Sequence, residues 1–124
     1  MKLIEWVLRI GVFGTFLGHG LLAIGGKITW LAYLMHIGLS RASAIQILPF
    51  IGYLDLIIAT WILLKPNKYV VMWAIFWTLS TALIRPISGE PFLEFIERSA
   101  NWAVPLALYL IMFRPADLSQ ESAK

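Results

Sequence analysis

Cysteine is absent from this 124-residue sequence. That excludes disulfides, thiolate nucleophiles, iron–sulfur clusters and cysteine-held metals together. Charge is scarce too: Asp, Glu, Lys and Arg supply 14% of residues, where a soluble domain carries about 25%. Histidine occurs twice, as His19 and His36. Glycine-rich phosphate loops, Ser–His–Asp arrangements and acidic metal clusters are missing, and no long polar segment offers a home for a nucleotide. The chain is therefore expected to hold no redox centre and no metal of its own.

What is present is oil. Hydrophobic residues make up 60% of the sequence, and the mean hydropathy is +0.79. A chain this short has too little interior to hide so much apolar surface from water. The bilayer is the expected solvent. The net charge of +3 is modest, and in so apolar a chain it reads as membrane orientation rather than nucleic-acid binding.

Residues 10–26 carry no charge and, with residues 6–9, are long enough to cross about 30 Å of hydrocarbon. The opening "MKLIEWVLRIG" faintly resembles a signal peptide, but Glu5 and Arg9 interrupt its apolar run, so a retained first span is expected. Residues 28–39 are apolar but short, bracketed by Lys27 and Arg41, which suits an interfacial or re-entrant helix. A second span is expected over 47–64, with Asp55 near its middle, and the "KPNK" at 65–68 makes a turn. A third runs over 69–84 and stops at Arg85-Pro86. "EPFLEFIERS" sets Phe92, Phe95 and Ile96 on one face, as an interfacial helix does. The last span begins near Ser99, contains Pro105 and ends at Phe113.

The expected fold is all-α: one integral membrane domain, residues 1–115, with four transmembrane helices and one or two short interfacial helices. Residues 116–124 form a polar tail. Trp6, Trp30, Trp61, Tyr69 and Trp102 fall near span ends, where interfacial aromatics belong. With four spans, Lys2, Arg9, Lys65, Lys68, Arg114 and Lys124 share one side; Lys27, Arg41, Arg85 and Arg98 share the other. That imbalance places the termini in the cytoplasm.

Asp55 and His19 are the candidate chemical residues. A carboxylate at mid-membrane must be paired, protonated or wet. Asp55 would then handle a proton or a quinone headgroup, or else hold two helices together. Gly52 and Ala59 share its face and invite a close neighbour. His19 lies beside a stripe of Gly11, Gly14, Gly18 and Gly25 that reads as a close-packing face. Its imidazole needs one donor and one acceptor. It would bond a quinone carbonyl, relay a proton or ligate haem, or else bond a neighbouring helix. Haem is disfavoured, because His36 falls in the short surface segment. Trp73, Trp77, Thr81 and Arg85 repeat every four residues, a stripe able to stack on a flat ring or pigment, or simply to pack. Asn101 and Pro105 mark a place where a carbonyl is freed.

"LRIGVFGTFLGHGLLAIGG" resembles the first helix of DoxX-like membrane proteins, with an arginine, then glycines and an aromatic, then His-Gly. "GYLDLIIATWILL" is similar to that family's acidic second helix, and "TALIRPISGE" and "ERSANWAVPLAL" resemble its small members. The matching positions are Arg9, His19, Gly20 and Asp55. Two positions depart: no lysine closely follows His-Gly, and Asp55 stands where glutamate is usual. The resemblance implies a four-helix membrane bundle serving a quinone-linked oxidoreductase complex, with the lipid bilayer and other membrane subunits as partners and quinone or lipid as ligand. A structural accessory subunit of a respiratory or photosynthetic complex, or a small proton-coupled carrier, are the other readings.

Overall fold

The computed structural model describes residues 2–113. All its regular elements are helical: α1 (Lys2–Ile24), α2 (Ile28–His36), α3 (Arg41–Leu64), α4 (Lys68–Ile87), α5 (Leu93–Glu97) and α6 (Ser99–Phe113). The tail expected at 116–124 lies outside the described residues.

Helix limits follow local chemistry. The Ser40 hydroxyl accepts from the Ser43 amide at 3.1 Å and starts α3 at Arg41, six residues before the span expected from 47. The Asn67 side chain accepts from the Val70 amide at 2.9 Å and starts α4. The expected stop of the third span at Arg85-Pro86 is corrected: α4 runs through Pro86 to Ile87. Proline this close to a C-terminus sacrifices one helical hydrogen bond at most, and the Ser88 amide still reaches the Ile84 carbonyl at 2.9 Å. Pro49 and Pro105 lie inside α3 and α6 without ending them.

The helices α1, α3, α4 and α6 form a closed ring, each touching the next, with the α3–α4 contact the thinnest. Neighbours run antiparallel: Arg9 near the start of α1 meets Ile62 near the end of α3, and Gly20 meets Gly52. The short helices α2 and α5 therefore both lie at the end of the ring away from the N-terminus. The core of the ring joins Val12 and Phe16 of α1, Ile58 and Ile62 of α3, Val71 and Ala74 of α4, and Leu108 of α6.

Three helices, α1, α3 and α4, are long and apolar enough to cross a membrane; α6 is a shorter apolar helix of 15 residues. Large hydrophobics cover the outside, among them Leu3, Ile10, Phe50, Ile57 and Phe76. Water penalises such a surface and hydrocarbon does not, so the fold suits an integral membrane location.

The packing face of α1 differs from the glycine stripe expected for it. Gly11, Gly14, Gly18 and Gly25 are exposed, and nothing lies within 4 Å of a Cβ built on Gly14 or Gly18. The buried face is Arg9, Val12, Phe16, Gly20 and Ala23. Small residues permit close approach but do not command it.

Arg9 is turned inward and buried. Its Nε donates to the Ile62 carbonyl at 3.3 Å and its Nη2 to the Leu63 carbonyl. These belong to the last turn of α3, whose carbonyls have no helical partner. The guanidinium lies 4.0 Å from the Trp6 ring centre.

Candidate functional site

Where α3 and α4 diverge, the ring opens into a cavity of about 230 Å³. His19 of α1, Leu48, Ile51 and Asp55 of α3, and Trp77, Ser80, Thr81, Ile84 and Arg85 of α4 line it; Trp30, Tyr33 and Leu34 of α2, with Ile37 after it, close the outer end. Three elements distant in sequence thus bring His19, Asp55, Trp77 and Arg85 to one space.

Each residue arrives by helical geometry. His19 precedes the contact glycine Gly20, so α1 cannot withdraw it from α3. Its ring meets Trp30 edge to face, with centroids 5.4 Å apart at 77°. Asp55 follows Gly52 by one turn and is 2% exposed. Its Oδ1 has no hydrogen-bond partner among the described residues; the Trp77 indole is the side chain that bears on the carboxylate. Trp77, Thr81 and Arg85 recur at four-residue spacing on α4 and share one face. Arg85 is 5% exposed. Its Nη1 donates to the Thr81 carbonyl, while its Nε is unpartnered among the described residues.

The outer end is built by residues that no motif had marked. The Tyr33 hydroxyl lies 2.9 Å from both carboxylate oxygens of Glu90, to which it donates. Arg85 lies 5.2 Å from the Tyr33 ring centre. The phenol is raised above its ordinary pKa, first by burial and next by its bond to Glu90, with Arg85 pulling the other way. The helix carrying Tyr33 is bounded by Gly26 and Gly38, at φ 74° and 112°. Those left-handed positions favour glycine, and they turn α2 across the end of the ring. One signal was available in the sequence: the glycines at 26 and 38 bracket a segment too short to span.

Other candidates fall elsewhere. Trp73 stacks on Trp77 at 5.7 Å and 11° but packs into the ring core rather than lining the cavity. His36 is exposed at the end of α2, so the two imidazoles do not converge on one site. Asn101 and Pro105 lie on α6, away from the cavity lining. Among the described residues, no three His, Asp or Glu side chains gather as metal ligands do.

Comparisons with family models, curated proteins and solved structures find no match to this chain.

Chemically, the cavity offers an acceptor at Asp55, a donor and an acceptor at His19, a cation at Arg85 and indole faces at Trp30 and Trp77. Tyr33, Ser80 and Thr81 add hydroxyls, and the remaining walls are aliphatic. A pocket of this kind suits a flat, largely apolar molecule with polar atoms at its ends.

Proposed function

We propose that this chain is a DoxX-like integral membrane subunit that anchors and supports a quinone-linked electron-transfer complex, its partner chains carrying the redox centres. The observation that supports this most is the meeting of His19 and Asp55 at one aromatic-walled cavity between α3 and α4. Isolated polar residues in a membrane helix commonly serve packing alone. Two on different helices that share an open cavity suit a ligand. The lining fits a quinone headgroup: Trp77 supplies a face, His19 and Arg85 supply donors, and Asp55 accepts a proton or a hydrogen bond. When bound, the quinone would accept the electrons delivered by the partner chains.

In this reading α6 is a fourth, short span, and the ring is a four-helix transmembrane bundle in a bacterial inner membrane with cytoplasmic termini. The helices α2 and α5 rest on the opposite membrane surface, and exposed Phe92, Leu93 and Ile96 reach into the headgroup boundary.

The test is quinone reduction by the complex purified in mild detergent. Single His19→Ala and Asp55→Ala variants should lower turnover while the complex still assembles on a native gel. Unchanged turnover in both variants sinks the site. A second reading, a purely structural accessory subunit binding lipid or pigment, draws on the exposed Gly14 and Gly18, which leave room for a partner helix. It requires that deleting the chain loosens the complex without changing turnover per intact complex.

A further inference from the structure

Two buried polar atoms without partners belong to opposite ends of the cavity. Asp55 Oδ1 is an acceptor and Arg85 Nε a donor, and neither is hydrogen-bonded to any described residue. Both side chains line the cavity, and both are almost wholly buried. Buried charges are costly unless compensated. Neither atom finds a hydrogen-bond partner among the described residues. Arg98 pairs with Glu94 at 2.8 Å, Glu90 is engaged by Tyr33, and no described carboxylate forms an ion pair with Arg85.

The spacing of the two atoms limits what can sit between them. Trp77 bears on Asp55, and the rise from Trp77 to Arg85 along α4 is about 12 Å. The Arg85 side chain shortens that gap. The walls between include Trp30, Leu48, Ile51 and Ile84, with Ser80 and Thr81, whose hydroxyls donate back to α4 carbonyls; such a lining offers a slot for a ring. An apolar cavity of about 150 Å³ already accepts benzene, so about 230 Å³ leaves space for a ring with a substituent at each end.

We infer that the cavity takes an aryl hydroxy-acid, its hydroxyl donating to Asp55 at the deep end and its oxyanion accepting from Arg85 at the mouth. This goes beyond the quinone reading, because a neutral quinone offers the unpartnered Arg85 Nε a carbonyl where an acid offers an anion. The same two contacts rank ligands. Loss of either end should cost about tenfold in affinity, the scale of one charge-assisted hydrogen bond.

The experiment is calorimetric titration of the full chain in a neutral detergent with 4-hydroxybenzoate, benzoate, phenol and hydroquinone. The expected result is that 4-hydroxybenzoate binds about tenfold or more tightly than any of the other three. Arg85→Met should abolish its advantage over phenol, and Asp55→Leu its advantage over benzoate, with helix content checked by circular dichroism. The wild-type series stands without the variants if either fails to fold. Equal binding of all four ligands, or no binding of any, overturns the inference. Hydroquinone binding as tightly as 4-hydroxybenzoate overturns it while leaving the quinone reading intact. Selective 4-hydroxybenzoate binding, with quinone turnover insensitive to His19→Ala and Asp55→Ala, supports it and removes the quinone reading alone.

Discussion

Gly20 and Gly52 hold the backbones of α1 and α3 in direct contact. A Cβ on Gly20 would stand 2.8 Å from the Gly52 carbonyl oxygen, and one on Gly52 would stand 2.6 Å from the Gly20 oxygen. Lipid tails are as apolar as leucine, so helices in a bilayer associate through such close packing rather than through hydrophobic burial. Backbone cannot yield as a flexible side chain does. Gly20→Ala and Gly52→Ala should each destabilise the fold by about 1–3 kcal/mol, read as a lower midpoint of detergent-induced unfolding. Gly14→Ala and Gly18→Ala should leave that midpoint in place or raise it, since both sites are open and alanine is the better helix former.

At the opposite end of the ring, Arg9 closes α3. Its two carbonyl partners, Ile62 and Leu63, lie in the last turn of α3 and have no partner within the helix. Arg9→Met keeps the stem and removes the donors. It should cost about 1.5–3 kcal/mol, the worth of a charge-assisted hydrogen bond. Arg9→Lys should recover only part of that, because a point-like ammonium lacks the guanidinium fork. Chemical-denaturation midpoints of the three proteins decide it; equal midpoints would show the capping to be idle.

Tyr33 and Glu90 set an alkaline limit. The Tyr33 phenol is raised above 10.0 by burial and by its bond to Glu90. The folded state therefore holds this proton more tightly than the unfolded chain does. The resulting stabilisation is complete below pH about 10 and is lost as pH rises through the higher folded value. Ultraviolet titration of tyrosinate should show a late-ionising phenol that disappears in Tyr33→Phe. In Glu90→Gln that phenol should ionise earlier, because the carboxylate no longer holds its proton.

The lack of native cysteine makes the cavity mappable. Single-cysteine variants at Ser80 and Thr81, both of which line the cavity, should react with a small water-soluble maleimide. A cysteine at Thr78, which is 1% exposed, should not. Prior occupation by 4-hydroxybenzoate should slow labelling at Thr81. Cysteines at Lys2 and Lys65 should label from one side of a sealed vesicle, and one at Lys27 from the other. Labelling of Lys2 and Lys27 from the same side would break the up-and-down topology.

The helices were largely legible because hydrophobic length and turn residues are local signals. The start of α6 agrees with the run beginning near Ser99, and α2 emerged from a stretch too short to span. The end of α4 was misread because proline stops a helix less firmly in its last turn than in its middle. Which face of α1 points inward was not legible: leucine, valine and glycine all tolerate lipid, so apolar periodicity does not distinguish a neighbour from the bilayer. Asp55 stood out because a mid-span carboxylate is costly anywhere. Its convergence with His19 and Arg85 had no local signature, nor had the Tyr33–Glu90 bond, which joins residues 57 apart. Trp73 and Trp77 looked equivalent in a four-residue repeat; both pack against the core, and one turn further along α4 Trp77 also reaches the cavity.

The thin α3–α4 contact has a mechanical consequence. Near the turn joining them, α3 and α4 are locked by Ile58, Ala59, Ile62, Val70, Val71 and Ala74, while Asp55 and Arg85 stand across open space. The pair works as a wedge with its vertex at Pro66 and Asn67. From Lys68 to Arg85 the lever arm is about 26 Å. A tilt of about 5° at the vertex therefore moves the mouth by about 2 Å. Slight pivoting in the tightly packed half is amplified in the open half, so the width of the aperture is governed by residues that do not line it.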